Sequence, residues 1–319
     1  MKLLHLIGLH HYLFKLDRYR VLNLDDMTRR FGIDFYRSGP GWDNWNNDLT
    51  ATENVINICG GIPDVVVAYN PNEIIGFDKM ECLKVLVYNE MRAVKNEIID
   101  AKPNLIVCHH LNERTPEVYS DAHWEYIPHI APSNIFNCTT DFEDRDIDFL
   151  FFGFMKKQLY PLRYKLNKAI LKLSRYYNCY FHPHPGYEFP NAFTNNHLFE
   201  ASKILNRSKI VGTCSSVFKY RLSKYPEITA CGSVLVADMP YVEDDEKNEL
   251  KECSIIVDHD TSIDDLTEIL INQIKNKDRL YDKHKLSIEY GSKYDNIFYS
   301  IKLFNVINRL LKGETIETL

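Results

Sequence analysis

Apolar residues gather along this chain in short runs, and polar stretches of helix length separate them. Runs at 3–7, 34–36, 65–68, 84–88, 104–108 and 124–127 read as strands. A helix is expected at 21–31, between the first two. The pattern restarts at 147–152, which Gly153 closes. Strands follow at 178–181, 208–211, 233–237 and 254–257, with helices at 162–177, 263–275 and 294–311. Runs rich in Val, Ile and Leu, spaced by helix-length gaps, predict parallel sheets covered by helices. The acidic stretch 141–146 reads as a linker, so two α/β domains are expected, 1–145 and 146–319. The final helix could pack back on the first. Open parallel sheets bind ligands beyond the carboxyl ends of their strands, which directs attention to the residues after each strand.

Composition narrows the partners more than the fold. Of 319 residues, 45% are hydrophobic and 26% charged, enough for substantial cores. The net charge of −6, with no basic stripe, argues against a nucleic-acid partner. The eight cysteines are scattered and form no CxxC pair. They read as reduced, mostly buried thiols of a cytoplasmic protein. The opening residues turn polar too early for an export signal, and no apolar run approaches the ~20 residues that span a bilayer.

The second half carries the clearer chemistry. Gly153, the lysines 156 and 157, and Arg163 follow a strand as a phosphate-binding turn would, though a plain βα bend also favours the glycine. The stretch 212–216 offers Thr213, Ser215 and Ser216 after the next strand. Those hydroxyls suit phosphate or ribose, and they suit a turn equally well. A helix is expected over about 221–231, with Glu227 in an apolar last turn and Pro226 kinking or restarting it. Gly232 then takes the left-handed conformation that ends a helix. Lys224 and Glu227 stand three apart, the spacing of a surface ion pair and also of a phosphate ligand beside a ribose ligand. His182-Pro-His184 lacks zinc spacing, so His184 is read as a cleft residue and no metal is expected. Neither GxGxxG nor GxxxxGKS occurs.

In the first half, Gly8, His10 and His11 end the first strand and Gly41-Trp42 follows the second. An exposed indole there suits stacking on a sugar or base. Glu90, His109 and His110 also follow strands and are the candidates for a catalytic group. Each taken alone fits a structural role.

Taken in order, these segments resemble the spore-maturation-type glycosyltransferases and the wider group-1, family-4-like enzymes. The segment 147–153 looks like their opening strand and glycine, with Arg163 at the place of a recurrent arginine. The segment 205–211 looks like their "nkSKi" strand entry. Residues 224–232, K-Y-P-E-I-T-A-C-G, are similar to their R-x-x-E-x-x-A-C-G, and 36–42 resemble their YGPG(W/F) loop. The resemblance implies a GT-B architecture: two Rossmann-like domains facing across a cleft that closes on the donor. It implies transfer of a sugar from a nucleotide-diphosphate sugar to a glycan or other hydroxyl acceptor, with no metal or other cofactor. Gly153, Arg163, His184, Thr213, Ser215, Ser216, Lys224 and Glu227 would face the donor, with Glu227 on its hydroxyls and Arg163 near the diphosphate. Gly8, His10, His11, Gly41 and Trp42 would face the acceptor. The chain departs from the pattern at Lys219, where retaining relatives carry a second glutamate, so stereochemistry stays open. A sugar-nucleotide epimerase on the same fold and a catalytically silent saccharide-binding protein are the alternatives.

Overall fold

The computed structural model describes residues 1–16, 18–69, 74, 76–88, 95–182 and 184–314, the side chains of 95–97 and 118 excepted. Contacts divide the chain into two compact units. The first comprises Met1–Pro128, Tyr187–Thr194 and Asn296–Leu319, and the second His129–Gly186 and Asn195–Asp295. Residues 129–145, read from the sequence as the end of the first domain, thus cluster with the second unit.

In the first unit the described strands are β1 (Lys2–Leu6), β2 (Asp34–Ser38), β3 (Val65–Ala68), β4 (Leu83–Tyr88), β5 (Leu105–Cys108) and β6 (His123–Tyr126). All pair in parallel, in the order β2-β1-β3-β4-β5-β6. Between β1 and β5 the described residues form four α-helices: α1 (Leu9–Phe14), α2 (Tyr19–Arg30), α3 (Ala51–Cys59) and α4 (Lys95–Ala101). The short apolar strands are buried on both faces, as a covered parallel sheet requires. Helix α3 has a strong local cause. Thr50 caps it, and Glu53 returns a bond to the Thr50 backbone, a reciprocal capping box. Its Val55 and Cys59 then pack on Leu4, Leu6, Val66 and Ala68 of the sheet.

The second unit repeats the architecture with β7 (Ile147–Phe152), β8 (Cys179–His182), β9 (Ser208–Gly212), β10 (Val234–Ala237) and β11 (Ile255–Ile256), ordered β11-β10-β9-β7-β8 and parallel. Its helices are α5 (Pro161–Leu173), α6 (Asn196–Asn206), α7 (Lys224–Ala230), α8 (Asp244–Cys253), α9 (Ile263–Lys275) and α10 (Lys277–Lys293). Phe149, Phe151, Ile210, Val234 and Val236 of the sheet meet Leu162, Leu166 and Ile170 of α5 in one core.

Two expectations change here. Arg145, inside the supposed linker, is buried, and it binds the carbonyls of Cys231 at 2.6 Å, Ser208 at 2.8 Å and Thr140 at 3.2 Å. The linker is therefore a structural seam of the second unit. Helix α7 starts only at Lys224. Pro226 falls in its first turn, where a missing N–H costs no helix bond, and Glu227 stands in that first turn rather than the last. Gly232 has φ +76°, and a Cβ there would lie 2.7 Å from His284 and 2.9 Å from Arg145. Gly291 of α10 approaches α7 so closely that a Cβ would sit 2.2 Å from the Ala230 nitrogen.

Helix α11 (Asn296–Leu311) returns to the first unit. Phe304 stacks on Phe31 at 3.8 Å, and Ser300 donates to Asp26 at 2.8 Å.

Candidate functional site

At the carboxyl end of β7 the chain turns through Gly153 at φ +118°. A Cβ there would come within 2.9 Å of the Arg163 guanidinium, so glycine is what lets that group close over the turn. Arg163, on the first turn of α5, is almost wholly buried. It donates to the Phe154 carbonyl at 2.8 Å and to Thr213 Oγ1 at 3.0 Å, with the Cys214 carbonyl at 3.5 Å. Its face lies 4.1 Å from the Tyr160 ring centroid. One side chain thus latches together the loops that follow β7 and β9.

The loop after β9 is tied down from the next strand. Asp238, directly after β10, accepts from the Ser215 backbone N–H at 2.8 Å and from its hydroxyl. The same carboxylate meets Lys219 at 3.0 Å and His259 at 2.6 Å. The loop needs this support: Ser216 and Lys219 both have positive φ, +72° and +58°. Thr213 and Ser215, expected to face a donor, spend their hydroxyls on Arg163 and Asp238 and are fully buried. Ser216 accepts from the Phe218 backbone at 3.3 Å. Lys219, the position where the sequence resemblance pointed to a second acid, is paired with Asp238.

Lys224 and Glu227 form the centre. The ammonium sits 2.6 Å from Glu227 Oε2 and 4.4 Å from the Phe152 ring centroid, at the end of β7. Glu227 has no exposed surface. On β8, burial and the nearby Lys224 charge lower the pKa of His182, whose Nδ1 is buried with no partner among the described residues. His184 is pushed down to about 4, first by burial, then by Lys224, Arg163 and His182. Its Nδ1 accepts the Gly186 N–H at 3.0 Å, so in the neutral ring Nε2 carries the proton. The result is an ammonium, a neutral imidazole donor and a buried carboxylate within one group of strand ends. Such a set can hold an anion beside a hydroxyl-bearing ring. Asp238, His259 and His182 were not among the expected site residues. An acid ending a buried strand was a usable signal for Asp238; the pairing with His259 had none.

In the first unit the expected residues fall into separate settings. Gly8 and His11 line a small cavity at the end of β1, with Pro40 and Tyr69. His10 is exposed beside Phe14. Gly41 has φ +90°. Trp42 is not the exposed indole expected of it. It is half-buried, packs on Tyr12 at 5.2 Å and donates Nε1–H to the Ile7 carbonyl at 2.8 Å, clipping its loop to β1. His109 and His110 are buried after β5, and His109 Nδ1 is bound to the Ile127 carbonyl at 2.7 Å. Glu90 lies outside the described residues.

Comparison of the sequence with known protein families and with curated proteins finds no match. Solved structures do match. A sucrose-phosphate synthase from Thermosynechococcus elongatus superposes with a TM-score of 0.66 at 8% identity, covering 98% of this chain and 100% of that one. A glycosyltransferase from Rickettsia africae gives 0.65 at 12%, covering 98% and 99%. HepE from Anabaena, solved with UDP and glucose, gives 0.60 at 9%, covering 97% and 99%. The chain has the GT-B fold. Its two Rossmann-like sheets are those of that architecture, and the cluster around Lys224 and Glu227 belongs to the second of them. No described helix is long and apolar enough to cross a membrane.

Proposed function

We propose that this GT-B protein transfers a sugar from a nucleoside-diphosphate sugar to a hydroxyl acceptor, without a metal ion. The observation that carries the reading is the Lys224–Glu227 pair at the end of β7, with His184 beside it. Glu227 accepts hydroxyls of the donor. Lys224 and the His184 Nε2–H take the diphosphate. As the acceptor oxygen bonds to the anomeric carbon, the bond to the diphosphate breaks, charge develops on the departing oxygens, and the acceptor's proton leaves with the diphosphate or to water. Fixed donors aimed at that charge stabilise the transition state. Arg163, held by protein acceptors, contributes a positive charge that needs no rearrangement.

The reading is supported by likeness to structures that include a UDP complex. UDP in the presence of a chelator is the first test. At a hundredfold excess over its dissociation constant it should stabilise the fold by about 2.7 kcal/mol. Glu227→Gln, close to isosteric, should weaken binding on the order of tenfold while leaving a cooperative melt. A nucleotide and nucleotide-sugar panel that shifts nothing sinks the proposal.

A second reading, binding without transfer, draws on Lys219 and its pairing with Asp238 where retaining relatives place an acid. Release of nucleoside diphosphate from a donor on adding acceptor separates the two.

A further inference from the structure

Asp238 follows β10 with its carboxylate buried, and four donors of the described residues converge on it. The Ser215 backbone N–H meets Oδ1 at 2.8 Å. The Ser215 hydroxyl, the Lys219 ammonium at 3.0 Å and His259 Nε2 at 2.6 Å all meet Oδ2. A carboxylate can only accept, so Nε2 carries a hydrogen, and in the neutral ring Nδ1 holds the lone pair. Among the described residues Nδ1 has no partner, yet it is not a buried orphan; the exposed 21% of the side chain includes it. Lys219 is 47% exposed, and Asp238 is the one partner of its ammonium among the described residues. Two of its three N–H groups therefore stay open to a ligand.

A brace between loops does not require all of this. Both Ser215 donors already satisfy the carboxylate, and Lys219 reaches it from a strained backbone at φ +58°, close after Ser216 at φ +72°. The Lys219 carbonyl is fixed by the Tyr241 N–H at 2.7 Å. His259 is held from its other end as well. Lys165 of α5 donates to the His259 carbonyl at 2.7 Å and to that of Thr261 at 3.2 Å. Asp238, Lys165 and a strained turn thus present two partly exposed polar atoms, an acceptor at His259 Nδ1 and a donor at Lys219 Nζ. They stand past the ends of β10 and β11, the side on which open parallel sheets bind ligands. β10 lies two strands from β7, about 10 Å, and Lys224 stands over Phe152 at the end of β7. That separation is within the length of a nucleotide sugar.

We propose that His259 and Lys219, both fixed by Asp238, form a diol subsite of the second unit. One hydroxyl of a vicinal pair donates to His259 Nδ1, and its neighbour accepts from the Lys219 ammonium. An anion is a poor occupant: the Asp238 carboxylate offsets the lysine charge, and the Nδ1 lone pair repels a negative oxygen. A nucleotide sugar carries such diols on its ribose and on the sugar to be moved. Calling the diol the donor's rests on the glycosyl-transfer reading; the subsite itself does not.

Calorimetry on the full chain with UDP, 2′-deoxy-UDP and UDP-glucose tests this. A ribose diol in the subsite makes 2′-deoxy-UDP about tenfold weaker than UDP, and a diol of the transferred sugar makes UDP-glucose about tenfold tighter than UDP. Lys219→Met and His259→Phe should each shrink that ratio toward one. A role confined to bracing the loop changes stability but not a ratio between ligands. Three equal affinities, ratios that survive both variants, or variants that weaken all three probes alike overturn the proposal. If His259→Phe fails to fold, Lys219→Met decides. If no uridine nucleotide binds, the failure belongs to the UDP-donor reading, and the subsite is judged by itself. Glucose and ribose should then move the His259 ring signals in NMR, and Lys219→Met should abolish the shift. Signals that stay still under both sugars overturn the subsite too.

Discussion

In the second unit Arg163, Lys219 and Lys224 each meet acceptors from their own unit: the Phe154 carbonyl and Thr213, Asp238, and Glu227. In the first unit Arg18, Arg20 and Arg37 lie across Tyr12, Tyr69 and Phe35, and Asp25 supplies a carboxylate to Arg37. A carboxylate cancels a cation's field; an aromatic face holds a cation with most of its field intact. In the second unit two of the three cations are thus paired with carboxylates, and the third, Arg163, is fixed by neutral acceptors and keeps its charge. In the first unit aromatic faces share that role, around the buried imidazole of His5.

The sharpest way to break this contrast is Gly153→Ala. The added methyl meets the Arg163 guanidinium at a φ that side chains avoid, so stability should fall by about 3 kcal/mol in denaturant titration and UDP binding should fall with it. Retention of both would show that Arg163 is not a latch. A smaller effect comes from pH. The folded His184 titrates near 4, below the ordinary imidazole value of 6.5, so the unfolded chain takes up the proton first as pH falls. Its contribution to stability is present above pH 6.5 and lost on descent toward 4, about 1–2 kcal/mol after allowing for partial exposure. His5 and His182 push in the same direction. UDP should raise the His184 value by offsetting the Lys224 charge, which NMR titration of its ring protons would follow; no movement would place the diphosphate elsewhere. The smallest effect is expected at Lys219→Ala. This lysine is nearly half exposed, so its loss should cost about 0.5 kcal/mol by thermal melt, far less than any buried partner of Asp238.

The strands were legible because β-branched runs buried on both faces have few other uses; β3 falls at 65–68 as the pattern predicts. The helices α6, α8 and α10 went unread. Asp244–Cys253, for example, buries just Glu246, Leu250 and Cys253, too thin a stripe to stand out. Helix α3 did carry a signal, the Thr50–Glu53 spacing. At the site, local order placed Lys224 and Glu227 together. It did not show that Thr213 and Ser215 are consumed by Arg163 and Asp238, 50 and 23 positions away. Hydroxyls after a strand look alike whether they face a ligand or a neighbouring loop. Arg145 was hidden by its acidic neighbours, because its partners are carbonyls, which sequence does not display.

Helix α11 gives the first unit a particular biosynthetic history. Phe31 and Asp26 of α2 are made before the second unit, and their partners Phe304 and Ser300 after it. The whole of the second unit is translated in between. Domains fold as units during synthesis, generally N-terminal first. Here that order is reversed: the second unit has all its residues before the first can close. Until then the apolar face of α2 is an exposed surface on a nascent chain, and its protection falls to whatever attends the ribosome.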